Sequence, residues 1–426
     1  MVNIILFICV LMTSCNTNRK KDEMLISETD ENPIHLEIWT IWGNNDILAG
    51  KALQNLVDDY MKRHPEVQIT ITTTTTETYK SKLPSALAVN EGPDIFFVWG
   101  YGFAEPIVKS GKAVDLTPYV QEMKENALSN TFDALTYEDK IYGLPLFGWI
   151  MGLYCNTEMF DRYNIKIPET YSELTEAVKE FRKHGLTPMA LPGREPWAIS
   201  FYYMALAERE AGLEKIQKIA AGQEAFDDPS MISAAYKLKE LKDLGAFSED
   251  YYRLLSYEAD SLFLEGFVPM HLNGSWLSST LDDEEYSKLK GKVKIIPFPV
   301  ITEENGTDEG IGGYVDSFMI NAESENKEEA IKLYLDIMPK LSRELTQIGM
   351  GLPVWKDVRI DKEKTIYQFL EIYPEAGYHA AYDQILPQKV REVHLAYLQD
   401  LLEGRITPEE FVSIQAEEMK QYQNTD

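Results

Sequence analysis

Residues 91–99 read Glu91-Gly92-Pro93-Asp94-Ile95-Phe96-Phe97-Val98-Trp99. Gly-Pro-Asp is a turn, and it delivers the chain into a short, almost wholly apolar run. A run of this length without alternation predicts a strand covered on both faces, as in a parallel sheet. The flanking sequence agrees. Ile34 to Thr40 alternates apolar and polar residues and predicts a first strand. Leu48 to His64 carries Leu48, Ala52, Leu56, Val57 and Tyr60 at helical spacing, and Pro65 stops it. Val67 to Thr75 is rich in β-branched residues and predicts a second strand, and Tyr79 to Val89 a second helix. Strands alternating with helices make an α/β architecture. Downstream the pattern predicts helices over 171–184, 200–212, 231–244 and 327–338, and strands over 189–191, 268–272, 293–296 and 314–321. The last third reads as helical, with breaks near Pro374 and Pro387. Pro408 falls in the first turn of the final helix, where its missing N–H costs little.

The chain has 426 residues, enough for two or three domains with their own cores. Its 69 acidic and 41 basic residues leave a net charge of -28, which would repel nucleic acid and keeps the protein soluble. Carboxylates are so numerous that a neighbouring pair is weak support for a glycosidase. Cys9, Cys15 and Cys155 exclude a disulfide framework and a cysteine-rich metal site, and Cys155 reads as a small core residue. The six histidines are scattered without metal-ligand spacing. There is no phosphate-cradling loop, and Gly274-Ser275-Trp276 lacks the second glycine of a nucleophile elbow. No cofactor, metal or catalytic residue is expected.

Residues 2–14, VNIILFICVLMTS, are uncharged and mostly aliphatic. The run is too short for an ordinary membrane span and suits a signal peptide over 1–14. It ends in Met12-Thr13-Ser14-Cys15, which resembles a bacterial lipoprotein cleavage site, so Cys15 is the expected lipidated residue. No Lys or Arg precedes the run, and Met12 departs from the usual aliphatic residue. Residues 15–33 read as a flexible tether. The expected location is the outer face of the cell membrane, and any membrane-crossing machinery is a separate polypeptide.

Six blocks then resemble one family in order: Glu91-Gly92-Pro93-Asp94-Ile95, Gly111-Lys112-Ala113-Val114-Asp115-Leu116-Thr117, Tyr142-Gly143-Leu144-Pro145 with Leu153-Tyr154-Cys155-Asn156, Pro168-Glu169-Thr170-Tyr171-Ser172-Glu173-Leu174, Phe263 through Trp276, and Ile320-Asn321-Ala322 with Asn326-Lys327-Glu328. They resemble the extracellular solute-binding proteins of family 1, the group that includes maltose-binding protein. The resemblance implies a two-lobed periplasmic-binding-protein fold of the class II type. Both lobes would be discontinuous, with a ligand cleft between them. The expected lobes are 34–146 plus 314–355 and 147–313 plus 356–426. It also implies a monomer that binds a carbohydrate and delivers it to the permease subunits of an ABC importer.

Sugars are held by aromatic rings against their C–H faces and by polar groups on their hydroxyls. With seven Trp and 24 Tyr the chain has rings to spare. Trp276 closes a predicted strand, where open α/β sheets place ligands, and the resemblance implies that it stacks on sugar. Lobe packing is the competing role. Glu195-Pro196-Trp197 resembles a Glu-Pro-Tyr sugar-contacting element, with Arg194 beside it as a forked donor; an exposed turn is the alternative. Trp42, Asn44 and Asp46 follow the first strand, where the family holds polar ligand contacts, though Asp46 also suits a helix cap. Trp99 and Tyr101 follow the apolar strand, whose Asp94 reads as structural. Trp149 lies just after the first hinge crossing. Tyr314 and Asp316 lie at the second, and an acid inside a strand asks for a partner or a ligand hydroxyl. Two other functions compete. One is a secreted carbohydrate-active hydrolase, which would release reducing ends. The other is a receptor presenting ligand to a sensor kinase, which neighbouring permease genes would argue against.

Overall fold

Helices and strands alternate because apolar stripes at the two periods need faces to cover, and they cover one another around two separate sheets. The computed structural model describes residues 33–43, 47–302, 305, 309–373 and 377–424. The signal peptide, Cys15, nearly all of the tether, and Asn44 and Asp46 lie outside the described residues. Among those described, the strands are β1 (Ile34–Thr40), β2 (Val67–Thr73), β3 (Ile95–Trp99), β4 (Thr136–Tyr137), β5 (Lys140–Ile141), β6 (Trp149–Asn156), β7 (Met189–Ala190), β8 (Met270–Gly274), β9 (Val293–Ile296), β10 (Gly310–Gly313), β11 (Asp316–Ile320) and β12 (Tyr378–Ala380).

The first sheet has the order β11-β3-β1-β2, with β1 parallel to both β2 and β3 and β11 antiparallel to β3. The apolar run at 95–99 is thus an interior strand, and Ile95, Phe96 and Phe97 are fully buried. Asp94 is structural: its carboxylate accepts from Glu37 N at 2.8 Å and from Ser324 Oγ. The second sheet runs β12-β10-β6-β8-β7, with β9 also on β6. All eight residues of β6 are buried. The sequence reading places no strand there, although an unalternating run of this kind suits a strand buried on both faces.

Other boundaries moved for identifiable reasons. The strand expected over 314–321 is β11, trimmed to Asp316–Ile320 in the first sheet, and β10 just before it belongs to the second, because the chain changes lobes at Tyr314-Val315. The helix expected to end at Met338 runs from Lys327–Ile348 straight through Pro339. Burial of Leu341 and Leu345 beyond the proline outweighs its lost hydrogen bond. The helices Pro196–Ala211, Pro229–Asp243, Gln388–Leu402 and Pro408–Gln423 pack together on the second lobe.

Three crossings join the lobes, and they are bonded to one another. Gly148 and Leu352 exchange backbone hydrogen bonds at 3.0 and 2.7 Å. Leu146 N donates to Asp316 O at 3.0 Å. The Tyr314 hydroxyl donates to Pro353 O at 2.8 Å. A Cβ on Gly148 would sit 2.8 Å from the Tyr314 ring, so only glycine lets the strands meet there.

Candidate functional site

The carboxyl ends of β1, β3 and β8 open toward the space between the lobes, where a cavity lies. One wall is aromatic and comes from the second lobe. Trp149 opens β6, Trp197 sits in the first turn of its helix, Phe201 lies one turn further on, and Trp276 follows β8. Trp149 stacks on Phe201 with centroids 5.5 Å apart and planes 10° apart. Trp276 meets Trp149 at 5.4 Å and Trp197 at 6.2 Å. Gly274 makes this possible: a Cβ there would lie 2.1 Å from the Trp276 ring, so the ring folds back only over a glycine.

The opposing wall comes from the first lobe, through Ile41, Trp42, Trp99 and Phe103, with Phe147 at the crossing between lobes. Trp42 is only 3% exposed and is packed edge-on against Phe318 at 5.5 Å, so most of its surface belongs to the core. Lys80 Nζ hangs 5.5 Å from the Trp99 ring and 5.7 Å from that of Phe103, with its charge bonded to Glu77 at 2.9 Å.

Polar groups are few and placed between these rings. Asp260 accepts from Asn273 Nδ2 at 2.8 Å and pairs with His271 Nε2 at 2.7 Å. Asp316, at the start of β11, lines the cleft and is largely buried. Asp383 and Gln384 reach it from the short helix Tyr382–Ile385. Burial pushes the Asp383 carboxyl up to about 6. Two cleft atoms are buried without a hydrogen-bond partner, the donor Trp197 Nε1 and the acceptor Gln384 Oε1. An unmet buried polar group costs about 1–3 kcal/mol, which a ligand hydroxyl can return.

Six expected residues therefore meet here: Trp42, Trp99, Trp149, Trp197, Trp276 and Asp316. Glu195 is displaced one step outward. Its carboxylate accepts from Ser256 N at 2.9 Å and from Ser256 Oγ, so Ser256 faces the cleft and Glu195 backs it. The other carboxylate oxygen is buried without a partner, and burial raises the acid's pKa. Arg194 is exposed and does not line the cleft. Tyr101 turns the chain after β3 with φ 51°, its carbonyl accepting from Tyr137 at 2.7 Å. Tyr314 fastens the hinge and leaves its hydroxyl on Pro353. Sequence reasoning missed Lys80, Phe201, Ser256, Asp260, Asp383 and Gln384. Phe201 had a legible signal, four residues beyond Trp197 on one helix face.

Two discontinuous α/β lobes, hinged by three crossings around an aromatic cleft, define a periplasmic-type solute-binding protein. The family described as Bacterial extracellular solute-binding protein matches residues 44–335, and the chain belongs to it. Its place is thus extracytoplasmic. The Multiple sugar-binding protein of Streptococcus mutans is 22% identical over 371 residues, 84% of this chain and 82% of its own. A structure from work on xylan utilization by the thermophilic bacterium Caldanaerobius polysaccharolyticus is 33% identical, with TM-score 0.84 over 90% of this chain and 99% of that one. A chitin oligosaccharide binding protein shares the fold at 24% identity and TM-score 0.83, covering 92% and 99%.

Proposed function

We propose that this protein captures an oligosaccharide between its lobes and hands it to the membrane permease of an ABC importer. The observation that carries this is the wall of Trp149, Trp197, Phe201 and Trp276 facing Trp99, with unmet hydrogen-bonding atoms between the rings. Rings take the C–H faces of successive sugars, and the aspartates and Gln384 take hydroxyls. Trp276, Trp197, Trp149, Trp99 and Asp316 are the proposed contacts, with Trp42 beneath them. Glu195 acts through Ser256. The relatives named for sugars support the reading.

The lobes, 34–146 plus 314–355 and 147–313 plus 356–426, would close on the ligand about the three crossings. The protein would act as a monomer, tethered through a lipid on Cys15.

No catalytic step is assigned. Ser200 Oγ, His394 and Gln415 form a relay, with His394 Nε2 2.9 Å from the hydroxyl and Nδ1 2.8 Å from Gln415 Oε1. All three are sealed from solvent, and burial holds the imidazole down to about 4. The relay packs helices and cannot reach a substrate.

A thermal-shift screen of the soluble body against mono- and oligosaccharides, polyols and phosphates tests the reading. One sugar class should raise the melting temperature, equivalent to about 2.7 kcal/mol at a hundredfold excess over Kd. A shift with phosphates or peptides alone would overturn the carbohydrate assignment. Release of reducing ends from the bound glycan would overturn the binding role itself.

A further inference from the structure

Ser256 and Asp260 stand four residues apart on the helix Ser256–Leu264, and both line the cleft. Residues so spaced share one helix face, with Cβ atoms about 5–6 Å apart. Each side chain has its hydrogen-bond polarity set from behind, by groups that do not line the cleft.

Behind Asp260 stand two residues of β8. Asp260 Oδ1 lies 2.7 Å from His271 Nε2 and accepts from Asn273 Nδ2 at 2.8 Å. The Asn273 amide cannot turn over, because its Oδ1 accepts from Gly274 N at 2.8 Å. His271 is 1% exposed, and its Nδ1 is buried with no partner. The ring proton therefore sits on Nε2, facing the carboxylate. Both donors fall on Oδ1, which leaves Oδ2 to the cleft, and the side chain keeps 15% of its surface open. Behind Ser256 stands Glu195, fully buried, whose Oε2 accepts from Ser256 N at 2.9 Å and from Ser256 Oγ. The hydroxyl has one proton and gives it to Glu195. Toward the cleft, Ser256 and Asp260 can then only accept.

We propose that this helix face is an acceptor-only strip that selects oligosaccharides with free hydroxyls at two neighbouring positions. The proposal rests on the carbohydrate reading of the cleft. Ser256 and Asp260 make the contacts, and Glu195, His271 and Asn273 are positioning residues that fix the polarity. A hydroxyl donates to each acceptor. An ether or ester oxygen at the same place has no proton to give and leaves the acceptor unmet. A uronate there would also set its carboxylate against that of Asp260. The ligand class is thus a glycan without acyl, methyl or uronate groups along this face.

Calorimetry with fluorinated probes tests this. Xylotriose, cellotriose, triacetylchitotriose and maltotriose are titrated first. For the sugar that binds, each ring hydroxyl is then replaced in turn by fluorine, which is similar in size and cannot donate. Two of these analogues should bind at least about tenfold weaker than the parent sugar. In Asp260→Asn the amide oxygen takes over the bonds to His271 and Asn273 and turns its N–H toward the cleft. The penalty of one analogue should shrink to about threefold or less, and Ser256→Ala should do the same for the other. His271→Leu should relax the Asp260 penalty, and His271→Gln, whose amide nitrogen replaces Nε2, should restore it. Fluorine tolerated at every position overturns the strip and leaves the sugar cleft standing. So do penalties that stay unchanged in Asp260→Asn and Ser256→Ala. A penalty that His271→Leu leaves intact removes His271 as a positioning residue. Failure of all four parent sugars overturns the carbohydrate reading and the strip with it.

Discussion

Trp276 lines the cleft because Gly274 gives its ring room, so the two residues act as one unit. Trp276→Ala should weaken sugar binding by roughly thirtyfold or more, as loss of about 2 kcal/mol at a central aromatic contact does. Titration calorimetry against the sugar from the screen reads this directly. Asp383 predicts a pH dependence. Its carboxyl titrates near 6 in the fold and near 3.8 unfolded. The folded state therefore keeps a proton that the unfolded state has released. Stability from this group is present below about 4 and is lost as pH rises through about 6. Urea unfolding from pH 4.5 to 7.5 should show a loss on the order of 1–3 kcal/mol that Asp383→Asn flattens. An unchanged slope in the variant would rule Asp383 out as the source. At this scale the tryptophans were legible in the sequence, because large rings at strand ends are conspicuous. Asp383 and Gln384 were not, since nothing within a helical C-terminal third distinguishes two polar residues that line a cleft far along the chain from Trp276.

The crossings behave as one element. Gly148, Tyr314 and Pro353 come from three separate segments and interlock by a ring against a bare Cα and a hydroxyl on a carbonyl. Gly148→Ala forces a methyl into the Tyr314 ring and should destabilise the fold by about 1–3 kcal/mol. Tyr314→Phe keeps the ring and loses one hydrogen bond, about 1 kcal/mol. Denaturant midpoints rank the two, and equal losses would contradict the packing argument. The strand expected over 314–321 shows the limit of pattern reading. Asp316–Ile320 forms it in the first sheet, while Gly310–Gly313 just before it pairs in the second, and only the partners across each ladder reveal the change.

Closure involves the whole molecule. Beyond the hinge, the lobes touch on either side of the cleft. Lys51 Nζ bonds the Tyr286 hydroxyl at 2.8 Å, and Arg391 holds the 101–103 turn. The first pair is exposed and adds little. The second is buried, so Arg391→Ala should shift the lobes toward an open arrangement. Sugar affinity would then fall about tenfold although the residue lies outside the sugar cleft. Small-angle scattering should show a larger radius of gyration for the unliganded variant, and a contraction on adding sugar in the wild type. Identical radii in all states would mean that the lobes do not hinge.

The sequence by itself determined the α/β alternation, the family and the aromatic endowment of the site. Those depend on local period, turn chemistry and residue type, all of which are written along the chain. The tertiary structure alone decided which rings share a wall, and that Glu195 stands behind Ser256 while Tyr314 locks the hinge. Those are meetings between residues up to some hundreds of positions apart. Such meetings are set by packing of whole lobes, and no short stretch of sequence carries them.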